Sequence, residues 1–149
     1  MYKIGVLTID GFALMSYASV VEPLRAANLL SQKQLYEVLN ITVLAKGAES
    51  SLGVHVDCDQ TINDNMNLNI LFVIAGGDPF LINDKKLFSW LSRLAKFGTT
   101  IGGISGGPVV LAKAGIMGDR RMTVHWDHAE RLSELRNNII LERSLYVFD

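Results

Sequence analysis

Cysteine is almost absent from this 149-residue chain: Cys58 stands alone, which excludes an internal disulfide and a cysteine-rich zinc centre. An excess of charge is also lacking. Lys and Arg number 14 against 15 Asp and Glu, a formal net charge of −1, so the chain has no general attraction for nucleic acid or an anionic membrane. No apolar run approaches membrane-spanning length, and no basic-then-apolar leader precedes the first apolar segment; a reducing cytoplasm is therefore the expected compartment. Internal repeats and low-complexity linkers are missing too, and the chain is 49% hydrophobic and 19% charged, so one compact domain over 1–149 is expected.

Glycine, in contrast, is present in a pattern. Residues 99–112 read as a buried strand, a turn too tight for ordinary residues, and a helix opened by Pro108. Gly103, Ser105 and Gly107 fit G-x-S-x-G, in which a strained strand-to-helix turn lifts one polar side chain, here Ser105, clear of the sheet end. The flanking glycines allow close backbone approach, and the Gly106 and Gly107 amides open a helix whose positive end suits an anion or a developing oxyanion. Residues 70–74 form another buried strand that runs into Ala75-Gly76-Gly77-Asp78-Pro79, a second glycine turn at a strand end.

The other segments alternate around these two. Residues 3–9 are β-branched and apolar without polar alternation, the mark of a strand covered on both faces. Residues 16–30 place Tyr17, Val20, Val21, Leu24 and Ala27 on one helical face, with Ser16 or Ser19 as N-cap and Pro23 tolerable only near the start. Glu22 reads as a buried acid facing Ser105 or as an exposed first-turn carboxylate. Residues 36–45 are a second strand, 52–56 a small hairpin or edge strand, and 63–69 an Asn-rich loop. His55, Asp57, Cys58 and Asp59 match no zinc spacing, so no metal is expected. Leu81, Leu87, Leu91 and Leu94 mark a helix with Trp90 as a packing residue, and the elbow helix covers 108–114. Arg120 and Arg121 sit at a solvent-facing turn, Asp127 caps a helix over 129–135 with His125 just outside its start, and 139–141 and 145–148 are the last apolar runs.

This alternation predicts an α/β fold, a doubly wound, mostly parallel sheet sandwiched by helices. Ligands in such sheets sit beyond the carboxyl ends of strands at a topological switch point, where both glycine turns would lie.

Asp10-Gly11-Phe12, Val21-Glu22-Pro23-Leu24-Arg25-Ala26-Ala27-Asn28, Ala75-Gly76-Gly77, residues 102–107, Leu111-Ala112-Lys113-Ala114-Gly115 and Thr123-Val124-His125-Trp126 occur in that order. Together they resemble the ThiJ/PfpI (class I glutamine amidotransferase-like) domain at the N-terminus of GlxA-type AraC-family transcriptional regulators, over nearly the whole chain. The resemblance implies a flavodoxin-like sheet lacking its last helix, a helix-turn-helix domain carrying DNA binding in the full protein, a small-molecule metabolite effector, a homodimer and no cofactor. Catalytic members of the superfamily carry a cysteine at the elbow, an acid from the first strand-helix junction and often a histidine after the elbow helix. Here the elbow holds Ser105, the acid's position falls on Ser16, Glu22 matches a different acidic position, and His125 matches the histidine. The Gly77 and Gly106 amides match oxyanion-binding positions. Ser105, Gly106, Gly77, His125, Ser16 and Glu22 are thus the candidate ligand-binding set.

A thiol is partly ionised near neutral pH, whereas a serine hydroxyl needs a base and a group to orient that base. A non-catalytic sensing and dimerisation domain is therefore expected. The enzymatic alternative is a serine hydrolase or amidase with Ser105 as nucleophile, His125 as base and Asp127 or Glu22 as orienter. A third reading is a purely structural dimerisation module.

Overall fold

The computed structural model describes residues 1–63, 66–135 and 138–149. Its strands are β1 (Tyr2–Thr8), β2 (Tyr36–Thr42), β3 (Ala48–Glu49), β4 (His55–Val56), β5 (Gln60–Thr61), β6 (Ile70–Ala75), β7 (Thr100–Ser105), β8 (Arg121–Met122) and β9 (Ile140–Leu141). The α-helices are α1 (Leu14–Ser31), α2 (Lys85–Lys96), α3 (Gly107–Lys113) and α4 (Ala129–Leu135). Five strands pair in parallel in the order β5-β2-β1-β6-β7, and β8 pairs with β9 in a separate two-stranded unit. This is the doubly wound sheet expected from the alternation.

The side-chain period of a strand sorts the core into two layers. On one face Leu7, Ile41, Leu71 and Val73 pack with Leu87, Trp90, Leu91 and Leu94 of α2 and with Val110 and Leu111 of α3. On the other, Val6 and Ile74 pack with Phe12, and Leu14, Tyr17, Val20 and Val21 of α1 lie against them. Asp84 starts α2 by accepting from the Lys86 and Leu87 amides at 2.9 and 3.0 Å, a cap of about 1 kcal/mol. Buried Trp90 donates its Nε1 proton to the Asn63 carbonyl at 2.8 Å, so the packing role read from the sequence includes a hydrogen bond.

Successive strands run outward from the centre in both directions, β1 to β2 through α1 and β6 to β7 through α2, so the winding reverses between β1 and β6. The carboxyl ends of β1, β6 and β7 therefore share one edge at the switch point. There the two loops touch: a Cβ on Gly76 would lie 2.3 Å from the Gly11 carbonyl oxygen.

Several local expectations are corrected. Helix α1 begins at Leu14 after Ala13, so neither Ser16 nor Ser19 is its N-cap, and the Ser19 hydroxyl instead donates to the Met15 carbonyl. The early start follows from Phe12, wholly buried and bridged to Ser50, which pins the chain just before the helix. Pro23 consequently stands inside the helix rather than near its start. Strand β2 ends at Thr42, whose hydroxyl bonds the Leu44 carbonyl and turns the chain. Leu81 belongs to a short 3-10 turn at Pro79–Leu81 and is exposed, not on the face of α2. The 145–148 run forms no strand. Of the 63–69 loop, 64 and 65 lie outside the described residues.

Candidate functional site

Ser105 ends β7 with φ at 58°, in the left-handed region that costs an ordinary residue about 1–2 kcal/mol. The surrounding glycines explain why the turn closes that tightly. A Cβ on Gly107 would lie 2.0 Å from the Val73 carbonyl oxygen, one on Gly103 2.6 Å from the Pro108 nitrogen, and one on Gly106 2.9 Å from the Ala75 carbonyl oxygen. Helix α3 is thus seated directly on the backbone of β6 and β7, and its first residues are buried. These glycines serve strand-helix contact.

That packing corrects the role expected of Gly106. Its peptide N–H donates to the Ala75 carbonyl at 2.9 Å, extending the β6–β7 ladder by one bond, and is not a free donor. Gly77 differs: it is exposed, has φ at 59° with open space where a Cβ would be, and its N–H has no partner among the described residues.

His125 approaches the elbow through its backbone. Its N–H donates to the Ser105 carbonyl at 3.4 Å, and its Nδ1 accepts from the Asp127 N–H, also at 3.4 Å. Asp127 is therefore not the cap of the following helix. His125 caps a 3-10 turn at Trp126–His128 that leads into α4. Nor does the Asp127 carboxylate orient the imidazole at Nδ1, because an accepting Nδ1 leaves only Nε2 to carry a proton. The Ser105 hydroxyl, half-buried, has no hydrogen-bond partner among the described residues.

Ser16 lies in the first turn of α1, half-buried, on the same sheet edge. Glu22 is farther along that helix, with a largely exposed side chain that pairs with Arg25 at 2.7 Å, so it is not a buried acid facing Ser105. Arg121, expected to face solvent freely, pairs with Glu142 and Asp149 and ties the end of the chain to β8. Backbone and charge contacts from Arg121 hold the Asp149 carboxyl below the usual carboxylate range.

Sequence reasoning missed a cluster beside the elbow. Arg131 Nη1 contacts both carboxylate oxygens of Asp78, at 3.0 and 2.9 Å, and its guanidinium lies 4.2 Å from the centre of the Phe80 ring. His128 meets the same ring edge-on at 5.9 Å, and the His125 and His128 rings are 5.7 Å apart. The Trp126 ring lies 5.3 Å from that of His125 and is 80% exposed. The Arg131 hydrogen bond holds the Asp78 carboxyl below its usual value, while burial, then the neighbouring His125, pushes the His128 pKa down. Fifty-three positions separate Asp78 from Arg131, and no local pattern could have joined them. Also missed was Thr8, buried at the end of β1, whose hydroxyl lacks a partner among the described residues.

A recess of about 490 Å³ opens at the amino-terminal edge of the sheet, lined by Asn67, Leu68, Asn69, Trp90 and Phe97 among others. It lies away from Ser105 and has neither a strained residue nor a histidine. The carboxyl edge, with Ser105, the free Gly77 amide and the His125 strap, is the better candidate.

Residues 2–148 match the DJ-1/PfpI family. The chain belongs to that family. A DJ-1/PfpI chain of this sequence is 40% identical over 148 residues to the HTH-type transcriptional regulator GlxA of Rhizobium meliloti, covering 99% of this chain and 46% of that protein. It is 34% identical over 143 residues to the HTH-type transcriptional regulator CdhR of Pseudomonas aeruginosa, covering 96% of this chain and 42% of the other. It therefore spans about half the length of these two curated relatives. The crystal structure of an AraC family transcriptional regulator from Pseudomonas putida is similar in fold, with a TM-score of 0.86 at 20% identity over 100% of this chain and 80% of its own. These two relatives of the DJ-1/PfpI domain are transcriptional regulators, as the sequence motifs implied, and no helix among the described residues is long and apolar enough to cross a membrane.

Proposed function

We propose that this DJ-1/PfpI domain binds a small-molecule effector at the carboxyl edge of its sheet without transforming it, and works as the sensing part of a longer cytoplasmic transcriptional regulator. The observation that carries this reading is the state of His125. Its peptide N–H is what reaches Ser105, and its Nδ1 is occupied by a backbone amide rather than a carboxylate. A hydroxyl without an oriented base stays protonated and is a poor nucleophile. What remains suits recognition: one hydroxyl at Ser105, a free amide at Gly77 and an imidazole beside an exposed indole. DNA binding belongs, on this reading, to a helix-turn-helix domain outside these residues, as the names of the HTH-type relatives suggest. The effector would act by biasing how two subunits pack.

The strained φ of Ser105 favours a second reading, a serine hydrolase or amidase, because such an elbow is how acyl-transfer enzymes present a nucleophile. The two are separated by treating the purified chain with a serine-directed fluorophosphonate and an activated ester. The sensing reading expects no adduct and no burst. Stoichiometric labelling of Ser105 that disappears in His125→Ala would replace it with the hydrolase.

A further inference from the structure

We propose that residues 123–135 form a proton-operated clasp on the turn that follows β6, with His128 as the group that takes up the proton. The segment leaves β8, where the Thr123 hydroxyl donates to the Ser144 carbonyl and Val124 packs on the Leu132 cluster, crosses the elbow at His125 and returns as α4. Leu132 is buried against Phe80, Val109, Ala112 and Met122. Arg131 holds Asp78 and covers the Phe80 ring, His128 stands T-shaped to that ring, and His125 offers the long bond to the Ser105 carbonyl. Of these, the Arg131 and His128 contacts are charged or titratable, whereas Leu132 is apolar and the His125 bond is made by its peptide N–H.

Among the described residues, the groups that face His128 are His125 from the start of the strap, Asp127 from the 3-10 turn, Asp78 from the β6 turn and Arg131 from α4. Lys113 of α3 stands behind them, its ammonium donating to the Phe80 and Ile82 carbonyls. Asp78 is committed to Arg131, so protonating His128 puts a second cation beside a ring that already carries a guanidinium. Burial first, then the His125 neighbour, oppose that charge and outweigh the opposite pull of Asp127 and Asp78. With the strap lifted, His128 is solvated and titrates near its ordinary value of about 6.5. The lifted state therefore binds a proton more readily than the closed one. The clasp's stability is fully present above about pH 6.5 and is lost as the pH falls below it. Lifting breaks the His125 bond to the Ser105 carbonyl and carries the imidazole away from the elbow.

The test is amide hydrogen exchange of the 149-residue chain, expressed as protection against the intrinsic rate at each pH, together with an NMR titration of the histidine side chains. Protection over residues 129–135 should fall as the pH drops from about 7.5 to about 5.5, while β6 keeps its protection, the mark of local opening. His128→Gln should abolish the pH dependence, and Arg131→Gln should lower protection of α4 at both pH values. Wild-type protection over 129–135 that does not change with pH, or a fall that persists in His128→Gln, would overturn the proposal. If His128→Gln loosens the strap at every pH, the wild-type titration decides: a His128 midpoint below about 6.5 supports the clasp, and one at or above it refutes it.

Discussion

Gly107→Ala is the substitution to which the architecture of the elbow is most sensitive. Its added carbon would lie 2.0 Å from the Val73 carbonyl oxygen and 3.0 Å from the Val73 carbonyl carbon. Both are backbone atoms of the central strand β6, so neither can swing aside as a flexible side chain would. Relief requires α3 to retreat from the sheet by about 1 Å or more, and Val109, Val110, Leu111 and Ala112, all buried, retreat with it. Overpacking of this kind costs about 1–3 kcal/mol when side chains can share the strain, and a backbone clash belongs at or above the top of that range. For a chain of this size, about 3 kcal/mol corresponds to a fall in Tm of roughly 6–12 °C. Gly77→Ala is the contrasting control: its φ of 59° is left-handed but nothing stands within 4 Å, so its cost is the conformational penalty alone, about 1 kcal/mol. Paired thermal and urea denaturation of the two variants measures the difference. A Gly107→Ala protein as stable as Gly77→Ala would refute the account in which the glycines exist to seat α3 on β6.

Three further outcomes are expected. Thr8→Val should raise Tm by a few degrees, because it replaces a buried hydroxyl that lacks a partner among the described residues with an apolar group of the same shape, worth about 1 kcal/mol; a loss of stability would mean that the hydroxyl is satisfied in solution. Trp90→Phe should cost about 1–2 kcal/mol in urea denaturation through the lost Nε1 bond to the Asn63 carbonyl, and a neutral result would show that packing alone holds that ring. Light scattering should show a dimer or larger assembly, since α1 exposes Met15, Leu29 and Leu30, and the tail exposes Leu145, Tyr146 and Phe148; a clean monomer at high concentration would contradict it.

The architecture was legible where one physical signal dominated. The largely apolar runs of β1 and β6, without polar alternation, read as strands covered on both faces, and an apolar strand before Gly103, Ser105 and Gly107 with a Pro-opened helix after them favoured a tight strand-to-helix turn over a flexible loop. Strand β5 was not legible, because Gln60 and Thr61 pair with β2 through their backbone and carry no apolar pattern. The elbow glycines declared close approach without declaring to what. Gly106 looked like an anion donor until the Ala75 carbonyl appeared as its partner. Asp127 and His125 compete for one capping role, and only the geometry of the 3-10 turn assigns it to the histidine. The Asp78, Phe80, His128 and Arg131 cluster arises from tertiary packing of segments far apart in the chain.

The central claim is that the elbow binds a small molecule and leaves it unchanged. Its most direct test is native mass spectrometry of the purified chain after exposure to a defined mixture of small metabolites, run beside Ser105→Tyr, which would fill the space at the elbow. The account expects one small molecule bound per chain, absent from the variant and recovered with its mass unaltered. Recovery of a hydrolysed product, or equal retention by Ser105→Tyr, would contradict it.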